Sequence, residues 1–346
     1  MDQPLYPLLF EPRYLEKVWG GRALASLGDH RALPGDDATP IGESWELADL
    51  GATAASGAGG DAIRSVIANG PLHGMTLHEA MQRFGERLLG RLRPTDAGDF
   101  PLLVKYLHAM QPLSVQTHPS PAYAEAHPQA HCKNEAWYIL AAEPGAVIYK
   151  GVRTGVDRAA FRKAMEQGDI DAAMNKVPVK AGDCHYLPSG LCHALGAGIV
   201  VAEVQTPSDT TFRLYDWGRT DRETHLDEAI KAMMFDDVDV RPYERRTHIA
   251  GVFTAVSRLV SCEHFRIERV RMTEAYEQEI PYDQPTVWMV LEGAGRVTTA
   301  DAAPVEFARG QTLLMPARMT DAKVHLTADT RWLEISFPQT QTELIA

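Results

Sequence analysis

The chain has 346 residues and a formal net charge of −12, with 45% hydrophobic and 23% charged residues. That length suits two domains, or one large domain with insertions, and the composition is that of an ordinary water-soluble globular protein. The acidic balance argues against nucleic acid or an anionic membrane surface as main partner, while leaving room for a phosphorylated small molecule held in a local basic pocket.

Residues 1–7 lack the basic region and apolar core of a signal peptide, and no apolar run approaches the roughly 20 residues of a membrane span. A helix is predicted over 77–89, opened by the capping box Thr76-Leu77-His78-Glu79 and stopped by Gly90. Strand-length segments bounded by Gly, Pro and Asp follow at 102–107 and 113–117. At the end of the second, Gln116 and His118 stand at i and i+2, which in a strand puts both on one face. Four cysteines (Cys132, Cys184, Cys192 and Cys262) form no Cys-x2-Cys pair, so the expected compartment is a reducing cytoplasm.

Glu135 opens the aromatic run Trp137-Tyr138-Ile139-Leu140, which reads as a buried strand, and another strand is expected at 146–149. Asp157 is an N-cap for a helix over 157–167 with Gly168 beyond its end, and 169–175 adds a short turn. Gly182 and Pro188 bracket a strand-length run. Pro188-Ser189-Gly190 is strong turn chemistry, after which a second strand presents His193. In the strand 199–205, Glu203 shares a face with Val201 and Gln205; a carboxylate among such neighbours should have a raised pKa, as a general base needs. In the strand 211–215, Arg213 is expected on the face of Thr211 and Tyr215. A helix is expected over 226–234 and a polar linker over 240–246. Many short strands with few helices predict a sandwich or barrel rather than a parallel α/β sheet.

The chain also repeats itself weakly. Trp137-Tyr138-Ile139-Leu140 is echoed by Trp288-Met289-Val290-Leu291, and Gly182-x5-Pro188 by Gly310-x5-Pro316. In the second copy Thr286 stands in the place of Glu135, Arg318 in that of Gly190 and Asp321 in that of His193. Two barrels are therefore expected, with only the first able to hold a metal.

Gly182-x5-Pro188-x-Gly190-x2-His193 resembles the second signature of cupin β-barrels, whose histidine binds a metal. On that resemblance Gln116, His118, Glu135 and His193 form a candidate set of two nitrogen and two oxygen ligands, suited to Zn²⁺ or another borderline divalent ion. The fold class expected is mainly β: two cupin (jelly-roll) barrels, with a few helices inserted in and around the first. The domains are residues 1–240, carrying the metal, and 241–346, a degenerate cupin without ligands.

The likeness goes further. Trp19-Gly20-Gly21, Ile41-Gly42-Glu43-Ser44-Trp45, Phe100-Pro101-Leu102-Leu103-Val104-Lys105, Gln116-Thr117-His118-Pro119, Lys133-Asn134-Glu135, Pro188-Ser189-Gly190-Leu191-Cys192-His193 and Ser208-Asp209-Thr210-Thr211-Phe212-Arg213 occur in this order. With them the chain resembles the type I mannose-6-phosphate isomerases, zinc-dependent bicupins, and among these the compact bacterial members without a large helical domain. The resemblance implies one Zn²⁺ per chain on Gln116, His118, Glu135 and His193. It implies Arg213 as an active-site cation, with Glu203 and Lys133 near the substrate. The implied reaction interconverts mannose 6-phosphate and fructose 6-phosphate by proton transfer through a cis-enediol, in a monomeric enzyme of mannose breakdown or GDP-mannose supply. Two departures, Asn134 where Thr or Pro is commoner and Gln205-Thr206-Pro207 before Ser208, spare the proposed ligands. The rival readings are a metal-dependent cupin oxygenase and a non-catalytic sugar-phosphate-binding cupin.

Overall fold

In a computed structural model, which describes residues 3–53, 60–235 and 238–338, the chain forms two β-barrels, each built from two antiparallel sheets. The first barrel has a six-stranded sheet in the order Cys184–Leu187, Glu135–Ala142, Ile199–Gln205, Leu103–Ala109, Ile41–Leu47 and Arg13–Gly21. Its second sheet has five strands: Met174–Pro178, Val147–Val152, His193–Leu195, Val115–Thr117 and Phe212–Tyr215. Trp137, Ile139, Leu107 and Val201 from the first sheet pack against Ile148 and Leu195 from the second, filling the interior.

The six-stranded sheet is buried on both faces. Val104, Tyr106, Ala136, Tyr138, Ala202 and Val204 turn outward into a large cluster shared with the second barrel. This double burial is why Glu135–Ala142 and Ile199–Gln205 read as unbroken apolar runs rather than alternating strands. Helices Arg158–Gln167 and Leu226–Ala232 cover the outer face of the five-stranded sheet through Phe161, Met165 and Ile230.

The second barrel pairs a seven-stranded sheet with a four-stranded one. Its repeat relation to the first is visible in register. Leu187 faces Glu135 and Cys184 faces Tyr138; likewise Met315 faces Thr286 and Thr312 faces Met289. Glu203 lies opposite Trp137 as Glu334 lies opposite Trp288. Where Glu203 meets a lysine, Glu334 instead accepts the Tyr282 hydroxyl at 2.6 Å. The N-terminal strand Leu8–Leu9 adds to this barrel's sheet beside Thr312–Met315. A cavity of about 530 Å³ between the barrels is lined by the repeat-related pairs Leu140 with Leu291 and Gly182 with Gly310.

Several sequence expectations are corrected. The helix predicted over 77–89 breaks at Gly85 (φ 48°) into Leu77–Phe84 and Glu86–Leu89, although the capping box forms as expected. The turn expected over 169–175 is confined to Ile170–Ala173 before a strand begins at Met174. The strands Arg13–Gly21 and Ile41–Leu47 and the helix Pro121–Ala126 were not anticipated. The ladder of Phe212–Tyr215 is irregular between Arg213 and Tyr215. Tyr215 therefore leaves the face of Arg213 and packs on Trp217 in the outer cluster.

Candidate metal centre

His118, Glu135 and His193 come together although the chain separates them widely, with possible ligand atoms all within 4.8 Å of one another. Each is essentially buried, at 0%, 1% and 0% exposure. Register brings them there. His193 faces Gln116 across adjacent strands of one sheet, and Glu135 stands at the start of a strand in the other. The Pro188-Ser189-Gly190 turn ties the ligand-bearing segments together: Ser189 Oγ donates to the carbonyl of Pro119 at 2.5 Å and accepts from Lys133 N at 2.8 Å. Asn134 serves the same scaffold, its Oδ1 accepting from Ser189 N at 3.0 Å.

The two histidines have fixed tautomers. Nδ1 of His118 lies 2.8 Å from the carbonyl of Thr210, and Nδ1 of His193 lies 2.9 Å from that of Leu191. A carbonyl only accepts, so each Nδ1 carries the proton and each Nε2 presents a lone pair. Both Nε2 atoms lie 3.3 Å from Glu135 Oε2. No hydrogen-bonding proton stands between them: His118 Nε2 and both Glu135 oxygens lack a hydrogen-bond partner. Lone pairs from two rings and a carboxylate thus converge on one buried point, an arrangement that is costly without a cation and typical of a ligand set with carbonyls orienting the rings.

Burial pushes His118 down to about 4, and Lys133 adds to the effect, so its ring stays neutral at pH 7. Burial opposes the charge of Glu135, but the Lys133 ammonium together with His118 and His193 outweighs it and holds the carboxyl well below its usual range. Lys133 Nζ lies 2.6 Å from Glu135 Oε1, outside hydrogen-bond angles. Gln116 Nε2 points at His193 Nε2 at 3.4 Å; a half-turn of the amide would present Oε1 in its place. The residues present therefore fit a divalent ion.

The cluster adjoins a pocket lined by Lys17, Trp19, Glu43, Trp45, Lys105, Gln116, Lys133, Trp137, Glu203, Thr211, Arg213 and Arg222 among others. Glu203 accepts from Trp137 Nε1 at 2.8 Å and lies 3.3 Å from Lys105 Nζ, so its cationic neighbour is Lys105, not Arg213. Burial first, and then Glu135, raise the pKa of Glu203. Arg213 faces Gln116 across the sheet. Its Nη1 donates to the carbonyl of Glu223 at 2.7 Å, and its Nε is buried without a partner.

Sequence reasoning missed Lys105, Glu43, Lys17, Trp45 and Arg222. For Lys105 a signal existed: a lysine inside the apolar strand Leu103–Ala109, buried at 5% exposure. It bridges Glu203 and Glu43, the latter 3.8 Å away, and stacks over Trp45. Burial opposes the charge of Glu43, but Lys17 and Lys105 outweigh it and bring Glu43 down to about 2. In a second grouping, Asp49, His78 and Asp99, Asp49 Oδ2 accepts from Phe100 N at 2.9 Å and meets His78, Asp49 Oδ1 lies 3.5 Å from Arg64 Nε without a hydrogen bond, and Asp99 accepts from Gly51 N.

The sequence pattern of the phosphomannose isomerase type I catalytic domain matches residues 8–148. The mannose-6-phosphate isomerase ManA of Bacillus subtilis is 34% identical over 327 residues, spanning 92% of this chain and 95% of that protein. The solved mannose 6-phosphate isomerase of Bacillus subtilis superimposes with a TM-score of 0.81 at 28% identity, over 96% of this chain and 99% of that one. A zinc-bound mannose 6-phosphate isomerase shares the fold at a TM-score of 0.69 and 16% identity, over 96% of this chain and 99% of that one.

Proposed function

The chain belongs to the type I phosphomannose isomerase family and interconverts D-mannose 6-phosphate and D-fructose 6-phosphate; we propose that it does so with one Zn²⁺ held by Gln116, His118, Glu135 and His193. The observation that carries this reading is the pair of Nδ1–carbonyl contacts, which turns both Nε2 lone pairs onto the Glu135 carboxylate. The zinc-bound neighbour supports the choice of ion, as does the mixed N/O donor set. When bound, the ion supplies Lewis acidity toward the oxygens of C1 and C2 without redox chemistry. Neither an oxygen-activating cupin nor a non-catalytic sugar-phosphate binder is favoured, since the relatives matched over nearly their whole length are named as isomerases.

The remaining work falls to side chains of the pocket. An aldose–ketose exchange moves a proton between C2 and C1 through a cis-enediol. Glu203 is assigned that transfer because its raised proton affinity suits a carboxylate that must both take and return a proton. Trp137 Nε1 and Lys105 Nζ fix its two oxygens. Lys133 orients Glu135 and supplies positive charge beside the reacting oxygens. Arg213, one strand from Gln116, stabilises negative charge on the substrate.

The same reading divides the chain into a metal-binding domain, residues 1–240, and a supporting domain, residues 241–346, with strand Leu8–Leu9 of the former completing the latter's sheet. It places the enzyme in the cytoplasm as a monomer. Its four cysteines are free thiols, and no helix among the described residues is long and apolar enough to cross a membrane. The test is a coupled assay for fructose 6-phosphate with metal analysis of the same sample. Arg213→Ala should keep its metal and lose about 10²–10³ in kcat. Unchanged turnover in that variant would remove Arg213 from the chemistry.

A further inference from the structure

Immediately after Arg213 the chain makes an unusual turn. Trp217 has φ 55° and Gly218 φ 80°, two consecutive left-handed residues. That conformation is strained for tryptophan. It is held by Trp217 Nε1 donating to the carbonyl of Leu113 at 2.6 Å and by ring contacts with Tyr149 and Tyr215. The turn folds Arg219 and Arg222 back onto Asp216, which is 2% exposed.

The two arginines are used differently. Arg219 spans Asp216 Oδ1 at 2.7 Å and the carbonyl of Pro112 at 2.8 Å, a structural tie. Arg222 grips Asp216 with two parallel bonds, Nε at 2.8 Å and Nη2 at 2.5 Å, leaving Nη1 outside that fork. Arg222 lines the substrate pocket and Arg219 does not. Arg213 lines it too, and no carboxylate pairs with Arg213 among the described residues; burial and then the nearby Arg222 depress its proton affinity. Asp209 lines the same pocket but already has an interaction partner.

Asp216 offsets part of the repulsion between the two guanidiniums, and both still face the pocket, where they offer a place for a further anion. The substrate carries such a group, a phosphate of nearly two negative charges at neutral pH that suits planar bidentate donors. Position agrees. His193, Gln116 and Arg213 form one row across the sheet, Arg213 lies on its edge strand, and Arg222 follows in the next loop. On the isomerase reading C1 and C2 lie at the cluster, which leaves the 6-phosphate for the other end of that row.

We propose that Arg222, aimed by Asp216, binds the substrate's phosphate beside Arg213, and so selects phosphorylated over free sugar. This rests on the isomerase reading above. Arg222→Ala should raise KM for mannose 6-phosphate by roughly 10–100-fold, the worth of one or two charge-assisted hydrogen bonds. Its kcat should change little, its metal content should match the parent, and inorganic phosphate should inhibit it proportionately less. Arg222→Lys should recover part of the loss. Asp216→Asn should raise KM on its own yet add nothing in the Arg222→Ala background, which separates positioning from general damage. A metal-replete Arg222→Ala protein whose KM and phosphate inhibition equal the parent's overturns the proposal. If the parent does not isomerise mannose 6-phosphate, the isomerase reading falls. Calorimetric titration of parent and Arg222→Ala with inorganic phosphate then still decides whether Arg222 binds the anion.

Discussion

A buried carboxylate near Lys105 and Lys133 sets the pH behaviour expected of this site. Glu203 must be ionised to accept a proton, and burial raises its pKa while Lys105 lowers it. The rate should therefore fall on the acid side with an apparent pKa above the ordinary carboxylate value. Removing the ammonium in Lys105→Met should move that limb to higher pH; a limb that stays put, or moves down, would detach Lys105 from Glu203. Glu203→Gln should bind metal normally and lose about 10²–10⁴ in kcat. The four ligand candidates were legible in the sequence because each sits in a short motif with fixed neighbours. Lys105 showed only as a lysine inside an apolar strand, and its meeting with Glu43 was hidden, because it depends on the register that sets Trp45 beside Lys105. No local spacing encodes such a pairing.

Elements show the same division between local chemistry and tertiary override. Strand Ile199–Gln205 matches its expected bounds, since turn residues flank it and both faces are buried. The helix over 77–89 was read as continuous because its cap and stop are strong. Gly85 interrupts it: at φ 48° and ψ −122° it adopts a backbone that disfavours a side chain. No atom lies within 4 Å of a Cβ placed there, so backbone conformation alone is at issue. Gly85→Ala should thus lower stability by about 1–3 kcal/mol in denaturant titration, with activity per folded molecule unchanged. An unaltered midpoint would show that the break costs nothing to straighten. The irregularity that turns Tyr215 away from Arg213 left no mark in the sequence, because a bulge is a property of the pair of strands.

Over the whole molecule, the second barrel supports the first rather than duplicating its site. Thr286 and Asp321 stand where ligands would be, and among the described residues that barrel contains no comparable grouping of His, Cys, Asp and Glu. The barrels are joined by a large shared apolar cluster and by a buried polar staple. Arg31 meets Glu46 at 3.0 and 2.7 Å, stacks over Tyr106, and donates to the carbonyl of Gly310 in the second barrel at 2.5 Å. Removing one partner strands a buried charge, so Arg31→Met should cost about 3–5 kcal/mol, and Arg31→Met with Glu46→Leu distinctly less. Equal losses in the single and double variants, read from unfolding midpoints, would argue against a coupled pair. The repeat that exposed the two-barrel plan was legible because tryptophans and turn glycines persist. The staple was not, since Arg31 and Gly310 lie at opposite ends of the chain.

The most direct test is to measure bound metal and isomerase rate together, in the parent protein, in His193→Ala and in chelator-treated parent. The expected result is one metal ion per parent chain, loss of metal and rate together in the other two samples, and return of both when Zn²⁺ is restored to the chelated parent. A metal-free sample that interconverts mannose 6-phosphate and fructose 6-phosphate at the parent rate would contradict it.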